Sequence, residues 1–173
     1  EDMAPPFYPD MPYMAGLDFG TDNIAAIACT DNSSVIYKGG AVLSSNQLFA
    51  KKKAKAVSLI TQGHSKMHAE SRYLITLSRK HSYFIKDQMH KISTEIVRYC
   101  VEHRIGILVI GVNKLWKQKS SIGRRNNQNF VSVPHFQLRQ MIEYKALRAG
   151  IDVIEQEESY TSKADITASD YMP

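Results

Sequence analysis

The stretch Gly16-Leu17-Asp18-Phe19-Gly20 begins an apolar run that continues to Cys29, and this run predicts a buried first strand over residues 16–29. One carboxylate, that of Asp18, stands among the apolar side chains. Because an ionised carboxylate is costly to bury without a compensating positive charge, Asp18 is a candidate cation ligand. The glycines on either side let a metal or a phosphate approach the backbone closely. An aspartate that caps a turn at the start of a strand is the alternative interpretation.

Composition places the chain among ordinary globular proteins. Its 173 residues are 43% hydrophobic and 23% charged, which is enough for one domain that buries about 70% of its unfolded surface. The sequence contains no apolar run of about 18 residues, so no membrane span is predicted. Cys29 and Cys100 lie far apart and form no CxxC pair, which argues against zinc and against a disulfide framework, and fits the cytoplasm. Prolines at positions 5, 6, 9 and 12 predict a linker over residues 1–14 and a folded domain over residues 15–173.

Charge is distributed unevenly along the chain, whose formal net charge is +5. Residues 32–69 contain six lysines and no acid, and residues 103–142 contain seven basic residues and no acid. Residues 143–173 reverse the sign, with seven acids against three bases. Long basic segments without acids favour a polyanionic partner such as nucleic acid, because each neutralised phosphate releases counterions. A solvated basic face is the alternative.

Hydrophobic periodicity and turn residues predict an alternation of strands and helices. The predicted elements, in chain order, are strands at 16–29, 35–37 and 41–43, a helix from Ser45-Asn46 through residue 56, a long helix from about 69 to about 103, a strand at 106–111, a helix from Pro134 to Gly150, and a strand at 151–154. The first three strands would form an antiparallel meander, and the later strands would be parallel. This pattern is typical of the ribonuclease-H-like α/β fold.

Two groups of polar residues follow the predicted strands. Glu157 and Glu158 come just after the last strand, and ligands of open α/β sheets gather at strand ends, so these acids and Asp18 are candidates for one site. A solvated acidic strand end is the alternative interpretation. The long loop after residue 111 is basic, and its Trp116 is suited either to stacking on an unpaired base or to anchoring the loop on the core.

The histidines at positions 64, 68, 81, 90 and 103 are not expected to bind metal, because no carboxylate or cysteine is spaced to join them. Surface positions or hydrogen-bonded core positions are the expected roles for these side chains.

Four stretches of the chain resemble the TnpB/OrfB proteins encoded by insertion sequences. They are Gly16-Leu17-Asp18-Phe19-Gly20 with Asn23, Val109-Ile110-Gly111-Val112-Asn113-Lys114 with Trp116-Lys117-Gln118, Asn126-Asn127-Gln128-Asn129-Phe130-Val131 with Pro134, and Glu157-Glu158-Ser159-Tyr160-Thr161-Ser162-Lys163. The resemblance runs from about residue 14 to the end of the sequence. It implies a RuvC-like nuclease module similar to those of RNA-guided DNA endonucleases and type V CRISPR effectors, in which three carboxylates hold two divalent metal ions.

The resemblance assigns roles to particular residues. Asp18 matches the first catalytic aspartate of the family. The usual place of the second acid is Gly111, which has no side chain, and the sequence resembles a subgroup in which a relocated glutamate precedes Tyr-Thr-Ser-Lys. Glu158 fits that place, with Glu157 as the alternate. The third aspartate is expected in a later segment, so the sequence is expected to be a partial nuclease module.

The resulting expectation is a DNA endonuclease domain that hydrolyses phosphodiesters with Mg²⁺ or Mn²⁺ at Asp18 and Glu158. The expected partners are DNA and, for the full-length protein, a guide RNA, in the cytoplasm of a bacterium or archaeon in association with the nucleoid. The residues expected to contact nucleic acid are Lys114, Trp116, Lys117, Lys119, Arg124, Arg125 and Asn127.

Two other functions are consistent with the sequence. Asp18-Phe19-Gly20-Thr21 resembles the phosphate loop of actin-like and Hsp70-like ATPases, although no second phosphate loop is present in the sequence. A non-catalytic nucleic-acid-binding remnant of a mobile element is the other alternative.

Overall fold

The computed structural model describes residues 10–61, 71–112 and 133–157, and within these ranges the chain forms five strands and three helices. The elements are β1 (Tyr13–Asp18), β2 (Asn23–Cys29), β3 (Ser34–Lys38), α1 (Gly40–Thr61), α2 (Arg72–Glu102), β4 (Ile105–Val112), α3 (His135–Arg148) and β5 (Asp152–Glu157).

The five strands form one mixed sheet in the order β3-β2-β1-β4-β5. The pairs β1–β2 and β2–β3 are antiparallel, whereas β4 is parallel to both β1 and β5. This arrangement confirms the predicted combination of an antiparallel meander with later parallel strands. Because β1, β4 and β5 run in the same direction, they end together at one edge of the sheet, which is called the carboxyl edge below. The opposite edge, with the turn between β2 and β3, is the amino edge.

One face of the sheet carries the hydrophobic core. Leu17 and Ile110 lie on this face, are at most 2% exposed, and share one cluster with Met89 and Ile96 of α2 and Ile142 of α3. The opposite face is more exposed, since alternate side chains of a strand point to opposite faces. Three apolar side chains illustrate this exposure, namely Met14 at 42%, Ile36 at 57% and Ile154 at 47%.

The long helix predicted at about 69–103 is confirmed as α2, which has 31 residues. The Ser71 side chain caps its first turn by accepting a hydrogen bond from the Leu74 amide at 3.2 Å. The helix after Pro134 is confirmed as α3, and Gly150 follows it with a φ of 75°, a conformation that glycine adopts without strain. The strands predicted at 106–111 and 151–154 are confirmed as β4 and β5, each with slightly different bounds.

The prediction of a single first strand over residues 16–29 is wrong. A turn interrupts it, so its two halves become β1 and β2, which pair with each other. The turn brings the backbone very close to itself, because a Cβ atom added to Gly20 would lie 2.6 Å from the Asn23 carbonyl oxygen. The polar sequence Thr21-Asp22-Asn23 was the available signal for this turn.

The third strand predicted at 41–43 is also wrong, because these residues form the first turn of α1. The Leu43 amide donates to the Gly39 carbonyl at 3.0 Å, and Val42 is buried in the core. The predicted cap at Ser45-Asn46 lies inside the helix. The predicted linker over residues 1–14 overlaps the sheet, since β1 begins at Tyr13.

Candidate functional site

Asp18 is the last residue of β1 and lies at the carboxyl edge of the sheet. Its neighbours Leu17 and Phe19 are 2% and 6% exposed, whereas Asp18 itself is exposed. The expectation of a carboxylate buried among apolar side chains is therefore wrong, because strand alternation turns Asp18 away from the core. Among the described residues, none makes a hydrogen bond or an ion pair with this carboxylate. Its oxygens are therefore available to a ligand as far as the described part of the chain is concerned.

The backbone that carries Asp18 is fixed by contacts between two turns. The Gly39 amide donates to the Asp22 carbonyl at 2.8 Å, and a Cβ atom on Gly39 would lie 2.9 Å from the Thr21 carbonyl oxygen. Together with the close approach at Gly20, these contacts hold the end of β1 against the start of α1. Asp18 is thus an exposed side chain on a tightly packed backbone.

The strand register identifies the residues level with Asp18. Leu17 is paired with Ile110, and Gly111 is paired with Gln156, so Asp18, Gly111 and Gln156 occupy one transverse row across β1, β4 and β5. At a strand spacing of about 4.8 Å, the outer two residues of this row are roughly 10 Å apart. Gly111 separates them without a side chain. At the centre of the row, β4 therefore contributes no side chain.

Glu155, one of the two acids that flank Gln156 on β5, has a partner in α3. Glu155 Oε1 lies 2.9 Å from Arg139 Nη1, and Arg139 Nε lies 3.2 Å from Glu143 Oε1. Desolvation raises the pKa of Glu143, with Glu155 contributing in the same direction. We interpret Glu155 as a residue that joins β5 to α3. It is a poorer candidate for a ligand than an acid farther along the strand.

His135, the first residue of α3, lies beneath the carboxyl edge and was not assigned a role from the sequence. It is 6% exposed, and its ring centroid lies 5.8 Å from that of Phe19, the residue next to Asp18. Burial lowers the pKa of His135 to about 4, so the ring is neutral near pH 7. His135 and Phe19 therefore support the end of β1 without adding charge to the site. The residue type offered no signal for this, because the contact depends on the packing of α3.

Two of the histidines that were not expected to bind metal have structural contacts. His81 Nε2 lies 2.8 Å from Asn46 Oδ1, and His103 Nδ1 lies 2.9 Å from Asp31 Oδ2. Within residues 10–61, 71–112 and 133–157 no three His, Cys, Asp or Glu side chains cluster in a way that would hold a metal ion.

Several predicted site residues lie outside the described residues. They are Glu158 and the expected nucleic-acid contacts Lys114, Trp116, Lys117, Lys119, Arg124, Arg125 and Asn127. The prediction that Glu157 lies just after the last strand is wrong, because β5 runs three residues beyond the predicted end and Glu157 is its last residue, with its backbone paired with that of Val112. The roles of these residues stay predictions.

None of the helices in the described ranges combines the length and the apolar character that a membrane span requires.

Two sequence families match different parts of the chain. The family OrfB_IS605, described as "Probable transposase", matches residues 9–117, and the Cas12f1-like TNB domain matches residues 135–165. The first match contains Asp18 and Gly111, and the second contains Glu157 and Glu158. No curated protein sequence matches the chain significantly.

Solved structures of similar fold include two complexes of Cas12f. One is the cryo-EM structure of a Cas12f1–sgRNA–target DNA complex, with a TM-score of 0.65 and 16% identity over 90% of this chain and 38% of that chain. The other is the cryo-EM structure of a CRISPR–Cas12f ternary complex, with a TM-score of 0.70 and 17% identity over 89% of this chain and 30% of that chain. The chain thus spans well under half the length of these proteins. At such identities the likeness shows the fold alone.

Proposed function

Because the chain belongs to the OrfB_IS605 family of probable transposases, also known as TnpB/OrfB proteins, we propose that it is the nuclease domain of a transposon-encoded, RNA-guided DNA endonuclease. Its core would be of the ribonuclease-H-like, RuvC-like type. The observation that carries the proposal is the meeting of strand ends at the carboxyl edge. Asp18 ends β1, and Glu157, followed directly by Glu158, ends β5 two strands away.

The sheet order supports this fold type. An antiparallel meander joined through β1 to two parallel strands places the carboxyl ends of β1, β4 and β5 side by side. Ligand sites of open α/β sheets lie outside the carboxyl ends of the strands. The family assignment and the likeness to Cas12f favour a nuclease over an actin-like ATPase.

The donor chemistry at the carboxyl edge fits a hard divalent cation. Carboxylate oxygens are the preferred ligands of Mg²⁺ and Mn²⁺, and Asp18 presents such oxygens in an exposed position. In our proposal Asp18, at the end of β1, and Glu158, the residue that follows β5 in the sequence, hold the metal, with Glu157 as the alternate ligand and with the glycine at position 111 between the two strand ends. When bound, such a metal pair activates water and stabilises the leaving oxygen of a phosphodiester. Within the chain, the packed turn at Gly20 orients Asp18.

The test is a thermal-shift titration with Mn²⁺ and Mg²⁺ on the 173-residue chain. A ligand present at ten times its dissociation constant stabilises the folded state by about 1.4 kcal/mol, so metal binding raises the Tm measurably. We expect a saturable rise for the wild type, little or none for Asp18→Asn and Glu158→Gln, and an unchanged rise for Glu157→Gln. Asp31→Asn serves as the matched aspartate control, because Asp31 lies at the amino edge, and it should keep the metal-induced rise.

Cleavage of duplex DNA with Mn²⁺ is the second readout. Because the third aspartate is expected elsewhere, we expect weak cleavage that Asp18→Ala and chelator abolish. Strong metal-dependent cleavage that survives Asp18→Ala, or equal metal-induced shifts in the wild type and Asp18→Asn, would contradict the assignment of the site.

A non-catalytic nucleic-acid-binding function is the second candidate, favoured by the exposed lysines of α1. It predicts salt-sensitive DNA binding without any metal-induced shift and without effects of Asp18→Ala or chelator. Tight ATP binding in calorimetry would instead support the ATPase alternative.

A further inference from the structure

The outer parts of α1 and α2 form an antiparallel pair, called the helical arm below and consisting of residues 49–61 and 71–81. At its base the Phe49 ring stacks on His81 with a centroid distance of 4.2 Å. At its outer part α1 and the start of α2 line a shared cleft of about 460 Å³. The cleft is lined by Lys52, Lys55, Ala56, Leu59, Ile60, Ser71 and Tyr73.

The helical arm extends past the carboxyl edge of the sheet. α2 ends at the amino edge, where His103 contacts Asp31, and α1 starts at the carboxyl edge, where Gly39 contacts Asp22. With 31 residues α2 is about 46 Å long, whereas the eight residues of β4 span about 26 Å. Ile85 is the first α2 residue in the buried core of the sheet. Residues 72–84, roughly 20 Å of helix, therefore precede the part of α2 that packs on the sheet and lie toward its carboxyl edge.

The arm is strongly cationic. Its two segments carry seven Lys or Arg residues and no Asp or Glu, and all seven side chains are exposed. These residues are Lys51, Lys52, Lys53, Lys55, Arg72, Arg79 and Lys80. The second half of α2 differs, because its cations form ion pairs with acids one turn away, as in Lys91–Asp87 and Arg98–Glu95. Among the described residues no acid forms an ion pair with a cation of the arm, although Lys53 Nζ lies 5.9 Å from the centroid of the Phe49 ring. A dense row of exposed cations favours a polyanion.

We propose that the helical arm binds the phosphate backbone of the DNA duplex next to the cleavage site. The location of the cut rests on the proposed function, but the binding itself does not. A helical segment of roughly 20 Å corresponds to about six base pairs at 3.4 Å each. The arm would therefore hold several successive phosphates while the carboxyl edge faces the scissile one. Because its lysines contact phosphates, it contributes affinity without reading sequence.

The experiment measures DNA binding by fluorescence anisotropy on the 173-residue chain, in EDTA and at several salt concentrations, with a labelled duplex. The arm variant is Lys52→Gln/Lys53→Gln/Lys55→Gln, which removes charge from exposed helical positions. The matched control is Lys91→Gln/Arg98→Gln/Arg148→Gln, which removes the same charge from exposed helical positions outside the arm. A second arm variant, Arg79→Gln/Lys80→Gln, tests the same surface from α2.

We expect both arm variants to bind more weakly than the control. The slope of log K against log salt should fall by about 0.9 for each phosphate that the variant no longer neutralises, hence by about two to three for the triple arm variant, and by much less for the control. The wild type should gain affinity as the duplex is lengthened by about six base pairs, and the arm variants should not.

Equal reductions of affinity in the arm variants and the control, or no reduction at all, would overturn the proposal. It would also be overturned by self-association in sedimentation velocity that Leu59→Gln abolishes, since the arm would then be a protein interface. The metal site is tested separately, because both arm variants should keep the full metal-induced rise in Tm even when they lose affinity for DNA.

Discussion

Each of the two edges of the sheet carries an aspartate, and the two carboxylates differ in their hydrogen-bond partners. At the amino edge Asp31 accepts hydrogen bonds from both the amide and the hydroxyl of Ser33 and contacts His103 Nδ1 at 2.9 Å. Tyr99 extends this cluster, since its hydroxyl donates to Ser33 Oγ at 3.0 Å and its ring stacks on His103. At the carboxyl edge no described residue donates to Asp18.

The number of hydrogen bonds that a carboxylate accepts from the protein distinguishes an acid with a structural role from a candidate metal ligand. A carboxylate has about four acceptor sites, and at Asp31 the protein itself uses several of them. At Asp18 the glycine turn fixes the backbone and leaves the side chain exposed. The contrast predicts that side-chain hydrogen bonds stabilise the amino edge, whereas close backbone packing stabilises the carboxyl edge.

Gly20→Ala should have the largest effect on stability. Its Cβ would lie 2.6 Å from the Asn23 carbonyl oxygen, and a backbone oxygen cannot rotate away as a side chain can. We expect a decrease of about 1–3 kcal/mol in the free energy of unfolding, as for other overpacked positions, measured by urea denaturation. Gly16→Ala, on the strand that precedes the turn, is the matched control, because among the described residues nothing except its chain neighbours lies within 4 Å of its Cβ position.

If both glycine variants unfold at the same urea concentration, the turn adapts to a side chain. The claim that backbone packing orients Asp18 would then fail.

Much of this fold was predictable from the sequence, because its main helices are long and their apolar residues recur at a regular spacing. α2 and α3 repeat their apolar positions over many residues, and β4 is a continuous apolar run bounded by glycines, so all three were found nearly in full. The break between β1 and β2 was missed because apolar residues on both sides of it concealed the four-residue turn at 19–22. The start of α1 was taken for a strand because Ala41-Val42-Leu43 is too short to distinguish the two periods.

The candidate site was predictable only in part. The motif around Asp18 identified this residue as a candidate ligand. The sequence did not show which face of the sheet its side chain lies on, because a shift of one residue along a strand exchanges the two faces. The partners of Asp31 were missed because His103 is 72 positions away in the sequence. The lysines of α1 are visible in the sequence as part of a basic segment without acids, whereas the extension of the helical arm past the carboxyl edge depends on the lengths and directions of α1, α2 and β4.

Asp31→Asn should have a smaller but clear effect on stability. The amide cannot reproduce the charge-assisted hydrogen bonds from Ser33 and His103, so the Tm should fall at pH 7. Asp18→Asn, without metal, should leave the Tm unchanged, because none of the described residues bonds to the Asp18 carboxylate. A fall in Tm as large for Asp18→Asn as for Asp31→Asn would remove the distinction between the two edges.

The pH dependence of the Tm should show that the Asp31 carboxylate stabilises the amino edge. Hydrogen bonds from Ser33, and then from His103, hold the pKa of Asp31 at about 2, against an ordinary 3.8. Because the folded-state pKa is the lower one, the ionised Asp31 stabilises the fold above about pH 4, and this contribution disappears as the pH falls from about 4 to about 2. The Tm difference between the wild type and Asp31→Asn should be constant above about pH 5 and shrink toward about pH 2. A difference that persists unchanged at the acid end of this range would mean that the carboxylate charge is not what Asp31 contributes.

His103→Gln should have the smallest effect, because His103 is a third exposed and such pairs contribute little. The Asp31→Asn/His103→Gln double variant shows whether the two residues act together. If the pair is coupled, the Tm of the double variant falls by less than the sum of the two single decreases, since either substitution alone already breaks the pair. Additive decreases would mean that Ser33 alone holds Asp31, and that α2 is joined to the amino edge through Tyr99. The amino edge would then still differ from the carboxyl edge, but its link to α2 would be a hydroxyl network and not an ion pair.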